Sequence, residues 1–314
     1  MIWILIGIIL LIRFPQSFFC KLNANTLQKD NITYLKFSIS YIGFSTIISA
    51  IVFLTEYALG KNQELYFTET IIYAVVAGVG FACLFISELY ALANGTIVLV
   101  SAFGAAGLLI PSIAGIFLYD EKMSVWQWVF VGVFLVGAYM LKMNSKKVYG
   151  VFSLKNLMML VLTFLFNGLI MLMQTMFGRN VKNGSTALFS SLSFLFGIMI
   201  LLLTLLILKT WIKKRKINYG STTTVEKKTQ FLKRKNLIIS GILGLILCAI
   251  NILSTESAKY ISPVIFFAVT CGGATIISAI VGAVAFKEKL TVVGITGMIL
   301  GIGSLILIKV FAVL

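Results

Sequence analysis

The chain has 314 residues, of which 60% are hydrophobic and 11% charged, with a formal net charge of +16 and no histidine. A soluble domain carries roughly 25% charged residues, so this composition excludes a water-facing globular protein. The apolar runs are continuous and of spanning length rather than alternating, which excludes a β-barrel and predicts an all-α membrane protein.

Ten apolar segments are predicted in chain order, at roughly 1–20, 33–54, 67–89, 94–119, 124–143, 153–178, 185–209, 236–257, 261–286 and 291–313, each long enough to cross about 30 Å of hydrocarbon. Arg13 and Pro15 interrupt the first. Its opening residues resemble a signal-peptide core but lack a basic start and a clear small-residue cleavage site, so a spanning helix is expected there. Segments three and four join at Asn94-Gly95, and eight and nine at Ser262-Pro263, turn signals at matching places in two halves. The one long polar connection, 210–235, holds Lys213-Lys214-Arg215-Lys216 and Lys233-Arg234-Lys235.

The chain is written twice. Tyr119-Asp120-Glu121-Lys122-Met123-Ser124 corresponds to Phe286-Lys287-Glu288-Lys289-Leu290-Thr291, and the spacing from Glu121 to Glu288 equals that from Lys142 to Lys309. Gln16-Ser17-Phe18-Phe19-Cys20-Lys21 is likewise matched by Gln174-Thr175-Met176-Phe177-Gly178-Arg179. The expected organisation is an N-terminal repeat over 1–149 and a C-terminal repeat over 150–314. Five spans per repeat, an odd number, turn the second half upside down relative to the first.

Most of the 26 Lys and Arg fall in or beside the connections that follow odd-numbered segments. This pattern is read as positive-inside orientation, with both termini outside, and not as a nucleic-acid surface. Cys20, Cys83, Cys248 and Cys271 show no CxxC spacing and are read as packing residues. No P-loop is present, so ATP-driven pumping is not expected. Without histidine or a clustered carboxylate motif, no enzyme, metal or cofactor is expected.

Polar groups in lipid are costly and face a cavity or a partner helix. Glu88 and Glu256 sit at nearly corresponding positions of segments three and eight. They are read either as cavity carboxylates, able to bind a proton or a cationic solute, or as residues at the membrane surface. Asn167 and Gln174 share a face of segment six, as do Arg13 and Gln16 on segment one. Gln16 and Gln174 are repeat equivalents, and Asn251, Ser254 and Thr255 form a further stripe. These groups are expected to line a substrate cavity, to bond neighbouring helices, or both. Glu121 and Glu288, each between two helices, are expected to cap the following helix or fix its turn. Small residues at four-residue spacing (Gly107, Pro111 and Gly115; Ala274, Ser278 and Gly282; Gly297 and Gly301) mark close helix contacts.

The layout Ala102-Phe103-Gly104-Ala105-Ala106-Gly107 through Pro111 to Asp120-Glu121-Lys122, repeated from Cys271-Gly272-Gly273-Ala274 through Gly282 to Lys287-Glu288-Lys289, resembles the drug/metabolite transporter superfamily, EamA type. The resemblance spans nearly the whole chain. It departs at Ser278, where the family's usual Pro is absent, and it implies cytoplasmic termini, opposite to the charge count. It implies a secondary transporter of a small organic solute working by alternating access, in a bacterial inner or plasma membrane, with proton coupling left open. Lipid flipping, or an accessory role in envelope-lipid export, is the alternative. The expected partners are a small-molecule substrate, membrane lipid and protons, with no nucleic acid. A monomer or homodimer suffices, because one chain holds both halves.

Overall fold

A computed structural model describes residues 2–26, 31–60, 66–119, 124–149, 153–219, 234–260, 263–289 and 291–310. These form eleven α-helices: α1 (Ile2–Thr26), α2 (Asn31–Ala58), α3 (Phe67–Asn94), α4 (Ile97–Ala106), α5 (Leu109–Tyr119), α6 (Val125–Tyr149), α7 (Leu154–Asn180), α8 (Thr186–Tyr219), α9 (Arg234–Tyr260), α10 (Pro263–Ala285) and α11 (Val292–Val310). No strand occurs among the described residues. Among the described residues seven stretches are long and apolar enough to cross a membrane, and α6, α10 and α11 hold shorter apolar stretches. Large apolar side chains such as Leu54, Leu203, Leu206 and Ile207 face outward, as a lipid-facing surface requires. The protein is a helical integral membrane protein.

The fourth predicted segment is two helices, α4 and α5, because of its own residues. Pro111 has no N–H to give the Gly107 carbonyl, which accepts from Ile110 N at 3.0 Å instead. Gly107 also meets α7: a Cβ there would lie 2.7 Å from Gly168 N. The second half has Ser278 in place of the proline, and α10 runs unbroken.

Helix α1 contains Pro15 and remains one helix, longer than the predicted segment. Helix α8 continues past 209 to Tyr219, into the predicted basic connection. Lys and Arg are good helix formers and are favoured at a helix C-terminus. The remainder of that connection, 220–233, lies outside the described residues.

Packing runs mostly between the two predicted halves. Helix α6 lies along α11, α3 against α7 and α8, α2 against α8 and α9, α1 against α9 and α10, and α4 against α7 and α10. An aromatic chain of Tyr41, Phe85, Phe81 and Phe194 joins α2, α3 and α8, with ring centroids 4.5 Å apart for Tyr41–Phe85 and 4.8 Å for Phe81–Phe194. Buried hydroxyls, such as those of Ser38, Ser45 and Thr163, donate to the carbonyl one turn back, which satisfies them where water is absent.

The small residues Gly297 and Gly301 bring α11 against α6. A Cβ on Gly137 would lie 2.8 Å from Gly297 O and 2.8 Å from Gly301 N, all backbone atoms that cannot turn aside. Gly132, on the same helix, has nothing within 4 Å of a built Cβ. Gly137→Ala is therefore expected to destabilise the protein by about 1–3 kcal/mol, read as a lower melting temperature in detergent, while Gly132→Ala leaves it near the parent value. Equal behaviour of the two variants would contradict this helix contact.

Candidate functional site

A cavity of about 140 Å³ lies between α1, α3, α4, α7, α9 and α10, so both predicted halves line it. Its wall includes Gln16 from α1, Glu88 from α3, Asn167 and Gln174 from α7, and Asn251 from α9. The polar residues singled out in the sequence thus converge across four helices. Arg13, Thr270 and Ser278 line it as well. Of these, Arg13 carried a readable signal, since it shares a helix face with Gln16.

Glu256 is the exception. It is not among the lining residues, and it pairs with Lys259 at 3.0 Å, one turn along α9. Lys259 Nζ also donates to Gly184 O at 2.9 Å. The reason is register. Lining positions on α3 (Phe81, Leu84, Phe85, Glu88) step in parallel with those on α9 (Leu247, Ile250, Asn251, Ser254). The counterpart of Glu88 is therefore Ser254, and Glu256 lies two residues on, about 200° around the helix.

The amides line the cavity and also bond neighbouring helices. Gln174 Nε2 donates to Asn251 Oδ1 at 2.5 Å, and Asn251 Nδ2 donates to Ser190 Oγ at 2.8 Å, a chain across α7, α9 and α8. Asn167 Nδ2 donates to Gly104 O at 2.7 Å, beside the α4–α5 break. On α1, Arg13 Nη1 donates to Gln16 Oε1 at 2.9 Å, and Ser17 and Ser278 hydroxyls meet at 3.2 Å between α1 and α10. The Glu88 carboxylate has no hydrogen bond or ion pair among the described residues.

A buried ion pair lies beside the lining residues Cys20, Leu92 and Ile97. Lys21 Nζ lies 3.2 Å from Glu288 Oε1, the two side chains being 0% and 4% exposed. Lys21 also donates to Leu92 O and Gly95 O, each at 2.7 Å, and the Ile97 amide donates to Glu288 Oε2 at 3.0 Å. The ammonium thus sits at the C-terminal end of α3 and the carboxylate at the N-terminal end of α4. Each charge faces the helix end that favours its sign. Glu288 therefore caps α4, a helix of the other predicted half; its own N–H bonds Gly282 O at 2.9 Å, which fixes the local turn. Gly282 makes room, since a Cβ there would lie 3.0 Å from Glu288 Oε2 and 2.7 Å from Ile97 Cγ2. Pro111 and Gly107 act at the α4–α5 break. Glu121 lies outside the described residues. No three His, Cys, Asp or Glu side chains converge among the described residues.

No protein-family model and no curated protein matches the chain. A solved structure described as "Crystal structure of protein" is similar, with a TM-score of 0.59 and 10% identity over 98% of this chain and 98% of that chain. At that identity the likeness is one of fold alone.

Lys21→Met leaves the Glu288 carboxylate buried without its cation. The expected loss of stability is about 3–5 kcal/mol, measured as thermal unfolding in detergent. Lys21→Met combined with Glu288→Gln removes both charges and is expected to cost less than Lys21→Met alone. A double variant less stable than the single one would contradict the pairing.

Proposed function

We propose that the chain is a secondary-active transporter of a small organic solute that works by alternating access, with two inverted five-helix halves, as its resemblance to EamA-type drug/metabolite transporters implies. The observation that carries this reading is the polar cavity at the boundary between the two predicted halves, with walls drawn from both.

The packing supports the two-half reading. Exchanging the halves turns α1, α2, α3, α4–α5 and α6 into α7, α8, α9, α10 and α11. Under that exchange α3 on α7 becomes α9 on α1, α3 on α8 becomes α9 on α2, and α1 on α10 becomes α7 on α4. Each of these pairs packs in the structure. The pairs α2 on α8 and α6 on α11 map onto themselves. A bundle of this kind has two similar packings available to it, which is what one site facing either membrane side requires. In this reading the Lys21–Glu288 pair closes one end, and rocking of the halves separates it. The break between α4 and α5 gives the first half a point at which to bend.

Glu88 is the group suited to couple solute movement to protons, because it faces the cavity and, among the described residues, makes no hydrogen bond or ion-pair contact. In proteoliposomes, Glu88→Gln is expected to abolish uptake or efflux driven by a pH gradient while solute exchange without a gradient persists. Glu256→Gln is expected to leave both intact, since its carboxylate lies outside the cavity. Gradient-driven flux that survives Glu88→Gln would remove the proton role.

A further inference from the structure

Arg13 is a cation in the cavity wall without an anionic partner. Its Nη1 donates to Gln16 Oε1 at 2.9 Å, while its Nε is buried and has no hydrogen-bond partner. Among the described residues no carboxylate makes an ion-pair contact with it, although Glu88 lies near enough for the two charges to interact. A guanidinium presents its donors as a planar fork. With Nη1 taken by Gln16, the edge formed by Nε and Nη2 remains. That edge holds two parallel donors, the arrangement that matches the two oxygens of a carboxylate.

We propose that this edge of Arg13 anchors the carboxylate of a small solute in the cavity. The proposal rests on the transport reading and narrows its substrate. A volume of about 140 Å³ is close to that of an engineered cavity of roughly 150 Å³ that admits benzene, and well below the roughly 300–1,000 Å³ of sites for drug-sized ligands. The solute is therefore compact. Charge balance adds a second condition. Arg13 and Glu88 are the formally charged lining residues and cancel. A bound carboxylate brings one further negative charge into a region of low dielectric, which is costly if uncompensated. The compensating cation is either an ammonium of the solute itself, facing Glu88, or a proton on Glu88.

The test is ligand-induced thermal stabilisation of the purified protein in detergent. The probes are acetate, propionate, benzoate and alanine, set against acetamide, propionamide, benzamide and alaninamide. At least one acid is expected to raise the melting temperature where its amide does not. Stabilisation by alanine alone assigns the cation to the solute, and stabilisation by propionate or benzoate assigns it to a proton on Glu88; either outcome supports the anchor. Arg13→Gln is expected to weaken acid binding roughly 10- to 100-fold. Arg13→Lys keeps the charge but loses the fork; it is expected to fall between, and it serves if the Gln variant does not fold. No stabilisation by any acid, equal stabilisation by acids and amides, or unchanged acid affinity in both variants would overturn the proposal. Flux in proteoliposomes separates it from the transport reading. Arg13-dependent acid binding with no flux of any solute leaves the anchor standing and removes transport. Flux of an uncharged solute that Arg13→Gln leaves unchanged, with no acid binding, removes the anchor and leaves transport.

Discussion

A lysine ammonium and a glutamate carboxylate 3.2 Å apart, almost sealed from solvent, are the constraint on which the arrangement of this protein depends. Removing two charges from water is expensive, and their mutual attraction offsets that cost only with good geometry and further hydrogen bonds. Here the further bonds come from the junction of α3 and α4: two carbonyls for Lys21 and an amide for Glu288. Lys21 belongs to the first predicted half and Glu288 to the second. The pair therefore fixes how α1, the α3–α4 turn and the connection from α10 to α11 meet. A pair of this kind is better understood as setting register than as adding net stability, and in the proposed transport cycle it is the closure of one end.

The rest of the cavity follows from close contacts elsewhere. Gly107 and Gly168 bring the α4–α5 break onto α7, and at that point Asn167 bonds the Gly104 carbonyl. Gly137, Gly297 and Gly301 clamp α6 to α11, outside the cavity wall. The bundle thus has tight, glycine-lined seams around a polar centre that small hydrogen-bonding side chains only partly fill. Within that centre the amides are tied to protein, whereas Glu88 and one edge of Arg13 have no hydrogen-bond or ion-pair partner among the described residues. Groups already tied down hold shape, and groups left open are those a ligand can use.

Much of this was readable from the residues. Continuous apolar runs declared the helices, and spacing along one face put Gln16, Asn167, Gln174 and Asn251 toward a shared interior. The sequence left Glu256 open between the cavity and the surface, because two carboxylates at similar distances from matching turns look equivalent in sequence. A displacement of two residues, enough to turn a side chain to the opposite face, is invisible without the packing that sets the register. The partnership of Lys21 with Glu288 was equally hidden, since nothing local links residues so far apart in the chain. Glu288 was recognised as structural, but the helix it caps lies in the other half. The break in the fourth segment was hidden as well: the sequence marks Gly107 and Pro111 only as close-contact residues, and Pro15, inside an unbroken α1, shows that a proline alone does not divide a helix.

The most direct test of the proposed two-half cavity, and of its closure by Lys21 and Glu288, uses its own thiols. Cys20 and Cys271 line the wall, whereas Cys83 and Cys248 are not among the lining residues and can be replaced by Ala. A membrane-impermeant thiol reagent is then applied to each face of oriented vesicles, with Lys21 and Glu288 intact and with both replaced by Ala. The account predicts that the double replacement speeds labelling of the cavity cysteines from the face that carries the α3–α4 turn. Labelling rates that stay unchanged from both faces would contradict it.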